Sequence, residues 1–249
     1  MTIPELLRTT AHRPWEISKD DWAYYQEWNN AVFLHWEVDL QDLQQFVPPG
    51  LEIDLFEDKP WVSVVAFDME RLRPRFLPSF PPISDFHEIN VRTYVKMGTK
   101  TGVTFLSIEA AKVISCKIAN VLSGLPYRYS KMSRDGASIR SENVKLGERL
   151  NITCEVGESL VEKTDLDKWL TERYALFQHN GTSINQFEIH HLEWPMHQID
   201  IGEIELDYPR FNRLIQQVPQ LSHYSPGVQV VAWGKEKYDP DGKFVSRWG

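Results

Sequence analysis

The segment FHEINVRTYV, Phe86 to Val95, carries four groups able to do chemistry at every second position: Glu88, Asn90, Arg92 and Tyr94. In an extended strand successive side chains point to opposite faces, so these four share one face. His87, Ile89, Val91, Thr93 and Val95 share the other, which reads as core. A carboxyl, an amide, a guanidinium and a phenol in a row can move a proton, hold an anion and polarise an oxygen. On a solvated strand the same row is a surface ion pair worth about 0.2–1 kcal/mol. Turned into a barrel interior, Glu88 and Arg92 must pair or meet a ligand, because a lone buried charge is costly. Residue types alone leave both readings open.

Other candidate groups are weaker. In EIHHLEWPMH, His190 and His191 point apart if the segment is a strand, so they do not readily share a metal. His35, His87 and His197 read as structural, and no metal site is expected. The run RLRPRF, Arg71 to Phe76, is basic and reads as a solvated loop or a greeting for an anion. No nucleophile elbow, phosphate-binding glycine loop, dinucleotide turn or zinc-protease helix motif is present. No cofactor is expected either.

Elements must position the row. The 249 residues carry a formal net charge of -8, with 42% hydrophobic and 12% aromatic residues. That length supports a core without staples, and one domain over 1–249 is expected. The acidic balance argues against nucleic acid and anionic membranes as partners. Cys116 and Cys154 have no metal or redox spacing, and no signal-like or membrane-length apolar run occurs, so a cytoplasmic location is expected. Strands are predicted at AVFLHWEV, LEIDLF, WVSVVAFDM, the opening segment and VTFLSI after the GTKTG turn. LPYRYSKMS, ASIRSE, ERLNITCEV, INQFEIHHLEW and GVQVVAWGKEKY follow the same pattern. DPDG is placed to begin a last hairpin, and residues 69–82 read as an irregular connection. Helices are predicted over 20–28, after Asp39, over 109–122, over 165–177 and over 209–218. On the helix over 109–122, Ala110, Val113, Ile114, Ile118, Val121 and Leu122 form one apolar face. Strands outnumber helices, and tight turns link them. The chain is therefore α+β, mostly antiparallel β, curled into a barrel or cone.

Several stretches together resemble the YqjF-like family, a bacterial family classed as domain of unknown function 2071. They are NNAVFLHWEV, WVSVVAFDM, LPSFPPISDFHEINVRTYV, GVTFLSIEA and LPYRYSKM, with LTERYALF and HHLEWP further on. That family is similar to acetoacetate decarboxylase. The resemblance implies a closed β-cone or barrel with peripheral helices and a central cavity. It also implies that Glu88 matches a strand glutamate of the decarboxylase pattern. In that pattern Gly, an aromatic and Pro precede two lysines, the first of which forms a Schiff base. Here the stretch is Gly124, Leu125, Pro126, Tyr127, Arg128. Tyr127 stands at the nucleophile's position, and neither a phenol nor a guanidinium can form an imine. Acetoacetate decarboxylase activity is therefore not expected. Lys131 shares a strand face with Tyr127 but lies about 13 Å further along, and reads as a rim or surface residue.

On these grounds Glu88 and Tyr127 are the candidate catalytic residues. Asn90, Arg92, Tyr94 and Arg128 are the candidate ligand-binding residues. Strict alternation sends Arg128 away from Tyr127 unless a bulge intervenes. The expected partner is a small molecule, anionic or carbonyl-containing. The protein is either an enzyme acting on it without Schiff-base chemistry or a non-catalytic binder, and a homo-oligomer stays open.

Overall fold

Alternating residues build long antiparallel strands in the computed structural model, which describes residues 1–215 and 218–247. The chain opens with α1 (Ile3–Arg8), β1 (Tyr24–Glu37), α2 (Leu40–Gln44), β2 (Glu52–Ile53) and β3 (Trp61–Pro74). Next come α3 (Pro81–Ser84), β4 (Phe86–Met97), β5 (Lys100–Ala110), α4 (Val113–Ser123), β6 (Arg128–Tyr129) and β7 (Lys131–Asp135). Then follow β8 (Ser138–Asn143), β9 (Glu148–Ser159), α5 (Asp165–Thr171), β10 (Ala175–His179) and β11 (Ile184–His190). The chain finishes with β12 (His197–Asp207), a 3-10 turn at Pro209–Phe211, β13 (Leu221–Ala232), β14 (Glu236–Tyr238) and β15 (Phe244–Arg247).

All these strands join one sheet. Its neighbours run β11-β10-β5-β4-β3-β1-β13, and β13 also pairs back onto β11 through Ile189 and His190. This closes a barrel, which removes the exposed edges an open sheet would present. From β13 the sheet continues as a wing, β12-β9-β8-β7. A core containing Val32, Val64, Ile89, Val91, Ile139 and Ile152 lies between the outer barrel face and this wing. The fold is α+β, mostly antiparallel, a closed barrel with peripheral helices. Among the described residues no helix is long and apolar enough to cross a membrane.

Several expectations shift. The segment 20–28 is not helical: β1 begins at Tyr24 and pairs with both β3 and β13, a setting that suits its aromatic residues. Residues 69–74, expected to be irregular, extend β3. The helix expected over 109–122 starts at Val113, because Glu109 and Ala110 complete the ladder with β4. Its expected apolar face is not a buried one: Val113 and Ile114 are half exposed, while Ser115 and Cys116 are buried. The side chains of Val121 and Leu122 lie outside the described residues. The helix expected to reach Phe177 ends at Thr171, since 175–179 are needed as a barrel strand beside β5 and β11. A 3-10 turn replaces the helix expected over 209–218, and Gln216 and Gln217 of that stretch lie outside the described residues.

Candidate functional site

The β4–β5 hairpin is the wall that matters. Across it Glu88 faces Ala110, Asn90 faces Ile108, Arg92 faces Phe105 and Tyr94 faces Val103. The row keeps one side by plain alternation, and the register shift between Val91 and Arg92 skips Leu106 of β5, so the row's partners change from even to odd positions. That side looks into the barrel. A cavity of about 670 Å³ opens there, lined by Glu88, Asn90 and Arg92 and by aromatic side chains including Trp28, Phe67, Phe86, Phe105 and Trp194. The segment 78–84 and α4 form its brow. Lys112 Nζ donates to the Pro81 carbonyl at 3.2 Å, and Ser115 Oγ donates to that of Ile83 at 2.8 Å.

Glu88 is 3% exposed. Tyr127 Oη donates to its Oε2 at 2.8 Å, and Asn90 Nδ2 donates to its Oε1 at 3.3 Å. Among the described residues no cation lies within ion-pair distance of it. Burial pushes its pKa up to about 7, against the smaller opposing pull of the two hydrogen bonds. A carboxyl group with that value holds and releases a proton at neutral pH. Burial, together with the adjacent Glu88, raises the Tyr127 phenol well above its ordinary value, so it stays a neutral donor.

Arg92 is 9% exposed and donates from Nη2 to the Leu170 carbonyl at 3.2 Å. Its Nε is buried without a partner, and so is Asn90 Oδ1. Among the described residues no carboxylate lies within 4.0 Å of the guanidinium, so Glu88 and Arg92 share one cavity without touching. A cation held this way favours an anion arriving from outside.

The remaining candidates separate. Tyr94 is fully buried, but its hydroxyl engages Ser63 Oγ at 2.6 Å and the Leu170 carbonyl at 3.0 Å. It buttresses the wall, and it is not among the residues that line the cavity. Arg128 departs from its expected place. Its guanidinium donates to the Ser107 hydroxyl, on the opposite side of β5 from Phe105 and Ile108. No bulge brings it round, because β6 pairs in parallel with β5 at Glu109 and Ala110 and so fixes its facing. Lys131 is exposed on β7.

Three cavity features were not named from the sequence. Trp28 and Trp194 stack with centroids 6.0 Å apart. His191 lines the cavity, bonded to the Leu192 carbonyl at 2.7 Å, whereas His190 turns away to the Leu6 carbonyl at 2.9 Å. Arg173 lies in the wall, paired with Asp54 at 2.7 Å and stacked on Trp169. The alternation of HH could have flagged that one of the two histidines faces inward. Nothing local flags Arg173.

A closed barrel of mostly antiparallel strands with peripheral helices gives this chain an acetoacetate decarboxylase-like fold. It is similar to acetoacetate decarboxylase from Legionella pneumophila, with a TM-score of 0.61 at 14% identity, covering 98% of this chain and 95% of that one. It is also similar to the enduracididine biosynthesis enzyme MppR complexed with pyruvate, with a TM-score of 0.58 at 11% identity, covering 95% of each chain. The chain itself belongs to the DUF2071 family, described as "Uncharacterized conserved protein (COG2071)", whose model matches residues 25–229. The protein YqjF of Bacillus subtilis (strain 168) is 30% identical over 226 residues, which span 87% of this chain and 93% of that one.

Proposed function

We propose that the protein is an enzyme that moves a proton on a small carbonyl or carboxylate compound, without Schiff-base chemistry. One observation carries this: Glu88 sits in a cavity with its acidity tuned to about 7, and no cation among the described residues lies within ion-pair distance of it. Glu88 is the general acid or base. Tyr127 holds it in place and donates to it or to a substrate oxygen. Arg92 takes an anionic group, and Asn90 Oδ1 accepts from a donor on the ligand. The fold neighbours add that a barrel of this kind can hold a compound such as pyruvate. The whole chain, 1–249, serves as one domain around this cavity. Free Cys116 and Cys154 suit a cytoplasmic setting.

The test is exchange of α-protons in deuterated water, followed by NMR over a panel of oxo acids, ketones, esters and lactones. The parent should exchange or turn over at least one class. Glu88→Gln should abolish the activity, and Arg92→Met should raise KM for acids more than for neutral ketones. Binding without any turnover would reduce the protein to a binder. Undiminished rates in Glu88→Gln would overturn the assignment outright. Borohydride trapping with acetoacetate should give no adduct by intact mass. A stoichiometric adduct on Lys131, or on the cavity-lining Lys235, would restore imine chemistry.

A further inference from the structure

The cavity is far larger than its polar floor. At about 30 Å³ per heavy atom, the liquid-like share of a water molecule, 670 Å³ holds about twenty heavy atoms, against about six in pyruvate. Glu88, Asn90 and Arg92 cluster on the β4 wall and Gln26, Arg173, His191 and Lys235 add polar groups elsewhere in the lining, while aromatic residues such as Trp28, Phe67, Phe105 and Trp194 cover much of the remainder. The apolar character does not stop at the mouth. Ile83 of α3 and Ile118 of α4, two helices joined through the bond from Ser115 to the Ile83 carbonyl, line its brow. Beside it Phe76, Leu77, Phe80, Val113 and Ile114 stand 50% or more exposed. A three- or four-carbon acid would satisfy Arg92 and leave this whole corridor unoccupied.

We infer that the ligand is an amphipathic carboxylate, a monoanionic head on a long or bulky apolar body. The head lies against Arg92 within reach of Glu88, and the body runs along the aromatic lining toward Ile83 and Ile118 at the brow. This inference rests on the cavity being the working site, as proposed above, and adds the class of molecule that fills it. Two physical arguments select the class. An unpaired, nearly buried guanidinium prefers a carboxylate, which it can bind with two parallel hydrogen bonds. A preformed apolar corridor rewards each methylene removed from water.

The experiment titrates the protein with straight-chain carboxylates of increasing length, kept below micelle formation, and follows tryptophan fluorescence and thermal shift. Matched primary alkylamines serve as the charge control. Affinity should rise by about fourfold for each added methylene until the corridor is full. Carboxylates should bind at least about tenfold better than amines. Arg92→Met should erase that preference while keeping the dependence on length. Ile118→Trp, at a partly exposed helix position, should shorten the preferred chain without touching the head group. Pyruvate and acetoacetate binding as tightly as the long acids would overturn the amphipathic ligand and leave the site standing. Absence of binding by any carboxylate, short or long, would overturn the site as well. Equal binding of acids and amines would mark simple hydrophobic adsorption and also overturn the inference.

Discussion

Glu88 and Glu148 are both buried, each 3% exposed, and both have pKa values raised to about 7 with burial as the largest cause. They lie on opposite sides of the β4–β5 wall. Glu88 looks into the cavity and, among the described residues, is held by Tyr127 and Asn90. Glu148, on β9, meets Glu109 of β5, and the second carboxylate adds to the upward shift. Arg128 and Arg210 pull the other way. Ser130 donates to Glu109, and Asn143 does so at 3.5 Å. The acids are alike in acidity and unlike in company. The second cluster carries its own counter-charges and ties the wing to the barrel, so its shifted proton serves the fold. Perturbed acidity nominates a functional group only when the structure leaves that group something to act upon.

The largest effect expected from this contrast is in stability against pH. Glu88 has a folded value of about 7 against an ordinary 4.5, so its proton is held more tightly in the folded state. Its contribution is fully present below about pH 4.5 and is lost as pH rises through about 7. Two and a half pH units correspond to about 3 kcal/mol at alkaline pH. Glu88→Gln removes that loss. In urea unfolding it should match the parent near pH 4.5 and exceed it by about 3 kcal/mol near pH 8.5. A variant that tracks the parent at both pH values would mean that Glu88 is solvated and the contrast is empty.

A smaller effect sharpens the other half. Arg128→Met should cost about 2 kcal/mol at neutral pH, because it removes the Ser107 bond and a charge opposing two buried acids. It should leave ligand binding unchanged. Arg92→Met should do the reverse, shifting stability by less than about 1 kcal/mol, the value of one hydrogen bond, while weakening anion binding. Urea midpoints and ligand titrations on the two variants separate them. Exchanged behaviour would place the working site behind the wall.

How much of this was legible depends on distance along the chain. The row from Glu88 to Arg92 was readable because one strand supplies it and period-2 alternation fixes its face. The barrel was readable from strand count and tight turns. Tyr94 shared the correct face, yet its role depends on where Leu170 and Ser63 end up, which no local pattern encodes. Arg128 was misplaced because the resemblance sets it at the second lysine beside Tyr127, although alternation pointed it away, as the parallel pairing of β6 with β5 does. The Glu109–Glu148 pair was missed because its members meet only through tertiary packing. Trp28 was hidden inside a segment whose aromatic residues read as a short helix until two barrel strands claimed it.

A shift in one proton's midpoint tests whether Tyr127 sets the acidity of Glu88 or merely fills space. The phenol donates to Glu88 Oε2 at 2.8 Å, and this bond holds the carboxyl below the value that burial alone would impose. Tyr127→Phe keeps the ring, and with it the packing against Phe86, whose centroid lies 6.5 Å away. It removes only the donor. Losing a hydrogen bond to a charged acceptor is worth about 1.5 kcal/mol, so the Glu88 midpoint should rise by about one unit, from about 7 to about 8. Carboxyl-carbon NMR against pH reads the shift directly. Tyr208→Phe is the control, because that buried phenol faces Glu109 and Glu148 behind the wall and should leave the Glu88 midpoint where it was. A midpoint unmoved in Tyr127→Phe would reduce Tyr127 to a packing residue. A midpoint moved equally by both substitutions would show that the two carboxyl sites communicate through β4 and β5, and the separation drawn between them would fail.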